Sequence, residues 1–315
     1  MLAGVGDVLG GFLAIWVVIG SGWLLAHLRV LDTTARDVLS KVTFYIGSPA
    51  LLGLMLATAD LQRLFARHLV VTIAATLAAA GLYVLLARLL ISPARGQLVM
   101  GAMAASYVNS ANLGIPITAY VLKDVTWVAP LLLFQVALLQ PVLLTMLDRD
   151  RADRDGTPVR GWWANLSLPL RNPMTVGTLV GLAINLLGWS VPPVLAAPIE
   201  LLAALAVPCM LIAFGVSLRL GPLPGRGAEL AETTLASLVK LVAHPMIAWA
   251  LALALGLDAA TTMAVVVLAG LPTAQNVFVY SVRYRRGVVL VRDTVFITTI
   301  ASILTITVVT AWLHP

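Results

Sequence analysis

Residues 98–122 read "LVMGAMAASYVNSANLGIPITAYVL". As a helix, the run is long enough to cross a hydrocarbon core of about 30 Å. Its centre, "SYVNSANLGIPITAY" (106–120), nevertheless carries two asparagines, a glycine and a proline. Pro116 has no N–H, and its ring strikes the carbonyl four residues back. The carbonyl of Asn112 thus loses its helical partner, and Gly114 loosens the same turn. Facing lipid, such unpaired backbone groups would cost several kcal/mol each. A break here is stable only where protein or a wet cavity receives it.

The chain around this run is 315 residues long, 60% hydrophobic and only 11% charged. Its mean hydropathy is +0.99. Soluble domains carry about 25% charged residues, so the fold class is an all-α polytopic membrane protein with no room for a soluble domain. The single cysteine, Cys209, excludes an internal disulfide and a cysteine metal cage. No basic segment precedes the first apolar run, which reads as a retained span rather than a cleaved leader.

Apolar periodicity predicts ten spans: 8–28, 36–57, 68–92, 97–122, 126–147, 173–189, 195–218, 234–256, 259–282 and 292–313. The longest hydrophilic break is "DRDRADRDGTPVRG" (148–161), with eight charged residues in fourteen. It divides the chain into a first five-helix unit (1–148), a charged cytoplasmic linker (149–170) and a second five-helix unit (171–315). Seventeen Lys and Arg residues fall at breaks or span ends on one side, against Arg63, Arg67 and Lys123 on the other. By the positive-inside rule both termini lie outside. The basic balance is a topology signal and does not imply a nucleic-acid partner; the expected surroundings are a lipid bilayer.

Units with an odd number of spans insert in opposite senses, so similarity between them means an inverted repeat. Two proline pairs recur in order. Span 2 has "GSPALLGLML" (47–56) and span 7 "AVPCMLIAFG" (206–215); span 4 has "LGIP" (113–116) and span 9 "AGLP" (269–272). In span 9, "AGLPTAQNVFVY" (269–280) repeats the arrangement of span 4. Pro272 should free the carbonyl of Leu268, while Thr273, Gln275 and Asn276 supply polar side chains. Two interrupted helices in corresponding positions point to a midplane binding site, and half-helix N-termini favour an anion there. Kinked helices knitted together by amides are the plainer alternative.

On these residues the chain resembles the auxin efflux carrier family, which groups bacterial carriers with the plant PIN proteins. The resemblance rests on Asn109 seven residues before the proline of "GIP" (114–116), on "RNPMTVGTLVGL" (171–182), and on "LPTAQN" (271–276) with Tyr284. It implies two inverted five-helix repeats, with spans 4 and 9 broken and crossing at the substrate site. It also implies a scaffold of spans 1, 2, 6 and 7, against which the other helices move in an elevator-like cycle. The implied substrates are small organic anions such as malate, malonate or auxin. Val277 replaces the crossover proline of plant members, and the central loop is short, both marks of a bacterial member. The scaffold helices are the candidate surface for a homodimer.

The resulting reading is a secondary transporter of small organic carboxylates. Its predicted site comprises Asn109, Asn112, Gly114, Pro116, Gln135, Pro272, Thr273, Gln275 and Asn276. Asn109, Asn112 and Pro116 stand at i, i+3 and i+7, so a regular helix would present them on one face up to the break. Gln135 is the span 5 residue that could face the crossover, although packing between helices is its plainer role. A sodium-coupled symporter of the bile-acid type, which shares this fold, and an anion channel are the alternatives. No metal-ligand spacing, nucleophile elbow or cofactor motif supports an enzyme. All fourteen acidic residues lie in breaks or near span ends. A carboxylate proton relay is therefore not expected; transport is either uncoupled or coupled to an ion held by carbonyls and amides. Lys240 and His244 share a face of span 8. Lys240 reads as a lysine snorkelling to a span end and His244 as a structural donor, with a coupling role for His244 as the alternative.

Overall fold

The structure is a computed structural model that describes residues 2–59, 67–114, 117–124, 127–156, 170 and 172–313. At residues 2–12, 14, 67, 111, 112, 119 and 120 only the backbone is described. Among these residues the chain is all-helical. In order come α1 (Leu2–His27), α2 (Thr33–Ala57), α3 (Arg67–Leu90) and α4 (Arg95–Ser106). Next are α5 (Val128–Arg154), α6 (Pro173–Leu186), α7 (Pro193–Leu220) and α8 (Leu230–Ala254). Last are α9 (Ala259–Ala269), α10 (Asn276–Tyr284) and α11 (Val288–Leu313). Among the described residues six helices, α2, α3, α5, α7, α8 and α11, are long and apolar enough to cross a membrane. The protein is a multi-pass membrane protein.

The outer surface agrees. Leu89, Leu90, Val194, Leu201 and Leu304 are all exposed, a pattern that suits hydrocarbon rather than water. Several buried hydroxyls bond within their own helices, as Thr76 does to the Thr72 carbonyl and Thr298 to the Thr294 carbonyl. That leaves few polar groups for lipid to meet.

Close helix packing is made by small residues. α1 lies along α7, with Gly215 against the Ile19 carbonyl; α2 lies along α6, with Gly181 against the Gly53 carbonyl. A β-carbon at either glycine would collide with that oxygen. α2 and α7 also pack together, so α1, α2, α6 and α7 form one group. In the other group α3 lies on α4 and α8, and α8 lies on α9 and α11.

Three of the long helices carry a π turn just before an internal proline. π turns at Thr43–Gly47, Gln135–Leu139 and Val239–Ala243 end immediately before Ser48-Pro49, Gln140-Pro141 and His244-Pro245. In each, the N–H before the proline bonds five residues back, to the carbonyl of Thr43, Gln135 or Val239. The extra residue carries the ring past the carbonyl it would strike, and the helix continues.

One prediction about α8 needs correction. The helix begins at Leu230 rather than near 234, because the polar "ETT" (232–234) is helical and packed against α4 and α11. Lys240 is therefore well inside the helix and fully buried, not at a span end. It leaves the charge tally, in which sixteen basic residues still face three. At the basic end of the bundle, Asp150 accepts from the Gly96 N–H at 3.0 Å and from Arg286 Nε at 3.0 Å. The Tyr284 hydroxyl donates to Asp148 at 2.8 Å. These bonds fasten the end of α5 to α4 and α10.

Candidate functional site

The two interrupted helices meet. α4 stops at Ser106, and Tyr107 is extended, with φ −78° and ψ 112°. α9 stops at Ala269, and α10 starts at Asn276. Between them the chain forms an isolated antiparallel bridge, Val108 opposite Thr273. The Asn109 N–H donates to the Pro272 carbonyl at 2.8 Å, and the Ala274 N–H to the Tyr107 carbonyl at 3.1 Å.

In an antiparallel bridge of this kind, the central residues turn their own N–H and C=O outward. Val108 finds both partners in one side chain of α5. Gln135 Oε1 accepts from the Val108 N–H at 2.8 Å, and Gln135 Nε2 donates to the Val108 carbonyl at 3.1 Å and to Ser110 Oγ at 2.8 Å. The carboxamide thus stands in for a third strand. On the other edge, the Thr273 N–H donates to Thr298 Oγ1 of α11 at 3.1 Å. The Thr273 hydroxyl donates to the Ala104 carbonyl at 2.5 Å. Broken backbone at this depth is stable because these groups are paired.

The position of the first break differs from the sequence expectation. The helix ends well before Pro116, so Asn109 lies in the extended segment and does not share a helical face with Asn112 and Pro116. Tyr107 and Val108 favour extended backbone, and Asn109 and Ser110 compete with helical bonding; the strand around Thr273 supplies partners that no local pattern announces. Pro116 lies outside the described residues, as does the side chain of Asn112, whose backbone is in the π turn Ser110–Gly114. The carbonyl of Leu268 is not left free by Pro272, because the Leu271 N–H bonds to it at 3.3 Å.

Beside the crossing lies a cavity with about 80 Å³ open to water-sized molecules. Asn109, Ser110, Gln275 and Asn276 line it from the breaks, and Gln140 lines it from α5. Leu52 and Met55 of α2, Met174 of α6 and Met210 of α7 close the opposite side. No charged side chain is among the lining residues. Asn109 Nδ2 donates to Gln275 Oε1 at 2.8 Å, which joins the two breaks by their side chains. A second chain of bonds runs from Asn276 Nδ2 to the Tyr280 hydroxyl at 3.1 Å, and from that hydroxyl to Gln140 Oε1 at 2.8 Å. The Tyr107 hydroxyl donates to the same oxygen at 3.3 Å. Gln140 Nε2 and Asn276 Oδ1 are buried without a hydrogen-bond partner among the described residues. α10 adds its N-terminus, whose partial positive charge favours an anion, although the Val277 and Phe278 N–H groups there bond to the Ala274 and Gln275 carbonyls.

Of the predicted residues, the structure brings Asn109, Gln275 and Asn276 to the cavity. Pro272, Thr273 and Gln135 build the crossing and are spent on backbone. Gly114 does not line the cavity; it is buried against Val128 and Leu271, which a β-carbon would crowd.

A family model described as "Membrane transport protein" matches residues 7–156 and 164–310. The chain belongs to this auxin efflux carrier-type family. A curated relative from Rhizobium meliloti (strain 1021), named "Putative malonate transporter", is 28% identical over 307 residues. The match covers 96% of this chain and 94% of the relative. Family and relative are transporters, not enzymes. No cluster of His, Cys, Asp or Glu among the described residues could hold a metal ion.

Gln140, Tyr107 and Tyr280 are the lining and linking residues that sequence reasoning missed. Gln135 and Gln140 are five apart, which on a regular α-helix separates them by about 140°. The π turn between them brings both to the crossing of this membrane transport protein. Pro141 was the available signal.

Proposed function

We propose that the chain is a secondary transporter of small organic carboxylates, of the malate, malonate or auxin-like class, in the bacterial cytoplasmic membrane. One observation carries this reading: two broken helices meet at a cavity lined by neutral hydrogen-bond donors and the start of a helix. Side-chain amides and the positive end of a helix can hold a carboxylate without a full positive charge in the membrane interior. The name of the Rhizobium relative makes malonate the first probe.

In the architecture we propose, residues 1–148 and 171–315 are inverted five-helix repeats joined by 149–170, giving ten spans with both termini outside. The pairing of α1 with α7 and of α6 with α2 supports this, since exchanging the halves maps one pair onto the other. Gln135 of α5 and Thr298 of α11 likewise brace opposite edges of the crossing. The group α1, α2, α6 and α7 is the proposed scaffold, and the cavity lies along its boundary with the crossing. That is where an elevator-type carrier would release its cargo to either side.

The test is a thermal-shift screen of the purified chain against mono- and dicarboxylates, followed by counterflow in proteoliposomes. A ligand that binds only the folded state raises the melting temperature. The expected result is a shift with malonate or a close analogue, together with trans-stimulated exchange. A channel would conduct without trans-stimulation, and the absence of both shift and exchange would refute the reading.

A further inference from the structure

Lys240 and His244 stand one turn apart on α8, and both are buried. Lys240 Nζ lies 2.9 Å from His244 Nδ1 and donates to the Ala269 carbonyl at 2.9 Å. No carboxylate takes part. The other buried cation among the described residues, Arg292, sits against Asp293. A lysine inside a membrane protein is costly, and its place calls for a functional explanation. Packing alone would be served by a neutral donor.

The site accommodates both forms of the amine. An ammonium has three donors; a neutral amine has two donors and a lone pair. Ala269 supplies a carbonyl, and His244 supplies a ring nitrogen that accepts or donates according to its tautomer. Ala269 is the last residue of α9, so its carbonyl belongs to the negative end of that helix. It lies four residues before Thr273, the residue bridged to Val108. A charge on Lys240 is therefore felt at one lip of the break, while the anion-favouring start of α10 forms the other.

We propose that Lys240 and His244 form a proton-binding site coupled to carboxylate binding at the crossing, an inference that rests on the function proposed above. The Nζ lone pair takes a proton from water, one N–H bond forms, and the same proton returns to water on the opposite side. The bound carboxylate offsets the ammonium, so the loaded protein moves one charge fewer across the membrane. In this structure the pair is sealed. The cavity beside His244, lined by Thr72, Thr76, Val108 and Ala269 among others, has no room for a water molecule. Proton exchange then requires the bundle to open, which guards against leak.

No other titratable group lines that cavity. On the packed elements, His68 of α3 contacts Trp127, Tyr83 of the same helix lies against Gly101, and Arg88 is near its end. Arg95 starts α4, and beyond it Tyr107 bonds to Gln140. Asp258 caps the far end of α9, Glu232 in the first turn of α8 accepts from Gln97, and Arg292 and Asp293 at the start of α11 pair with each other.

The test uses the full purified chain with malonate as the probe. Between about pH 7 and 9, where carboxylates stay ionised, binding should take up close to one proton per chain. Over the same range Kd should rise by up to about tenfold per pH unit. Lys240→Met should abolish the uptake and flatten the profile. Lys240→Gln, which keeps a donor to Ala269 without a titratable group, should do the same should the methionine variant not assemble. Uptake and slope that persist in these variants, or a parent that binds malonate without either, would overturn the proposal while leaving the transport reading intact. If no carboxylate binds at any pH, the transport reading fails. The ¹⁵N resonance of His244, identified by its loss in His244→Gln, then tests the proton site alone. It should move as pH falls from about 8 to about 5 in the parent, and that transition should shift or vanish in Lys240→Met; an unmoved resonance in the parent, or the same profile in both proteins, would refute it.

Discussion

Proline is met differently in different helices of this chain, and two of the outcomes contrast sharply. At Pro49, Pro141 and Pro245 a π turn absorbs the ring and the helix runs on. At Pro272 the helix stops, and α10 begins four residues later. The ring makes the same demands in all four places. What differs is the company. Breaking a helix in a membrane frees N–H and C=O groups, and only the segment around Pro272 has partners for them: the Tyr107–Asn109 strand on one edge and Thr298 on the other. Proline marks where a helix can yield, and available partners decide whether it breaks.

The comparison can be tested from its largest consequence downward. It assumes that the two breaks meet from repeats inserted in opposite senses. With Cys209 replaced, single cysteines introduced at positions 155 and 315 should react from opposite sides of intact cells, an all-or-none result. Reaction from one side would remove the inverted repeat. Next is Gln135→Leu, which strips Val108 of both partners; each buried group left unpaired costs about 1–3 kcal/mol. A marked fall in melting temperature and loss of malonate counterflow are expected. A parent-like melting curve would mean that the break does not depend on its brace. The smallest effect belongs to Pro141→Ala. Restoring an N–H lets the π turn relax, so stability should change by no more than about 1 kcal/mol. Gln140 would turn from the cavity, and malonate affinity should fall a few-fold. A variant that melts far below the parent would show that the ring itself holds the turn.

Much of the helical layout was legible in apolar run lengths. The span predicted at 195–218 is α7, Pro193–Leu220, and that predicted at 68–92 is α3, Arg67–Leu90. The second break was also legible, since "GLPTAQN" (270–276) gathers a glycine, a proline and polar residues where α9 ends. The first was displaced. Its position depends on a strand more than 160 residues away in the chain, and no local pattern reports such a partner. Gln140 was left out of the predicted site, with only Gln135 of that span included, because α-helical periodicity does not anticipate a π turn. Lys240 was placed near an interface because the polar start of α8 reads as a loop. The first miss came from a tertiary partner overriding a local rule, the other two from a helix that departs from regular periodicity or begins in polar residues.

The central claim is that the crossing binds a small carboxylate, and Asn109 tests it most directly. Malonate affinity and melting temperature should be measured on the same purified Asn109→Ala protein. A hydrogen bond to a charged group is worth about 1.5–3 kcal/mol, so affinity should weaken roughly tenfold to a hundredfold while melting stays near that of the parent. A variant that binds malonate as the parent does but melts well below it would make Asn109 part of the packing and put the site elsewhere.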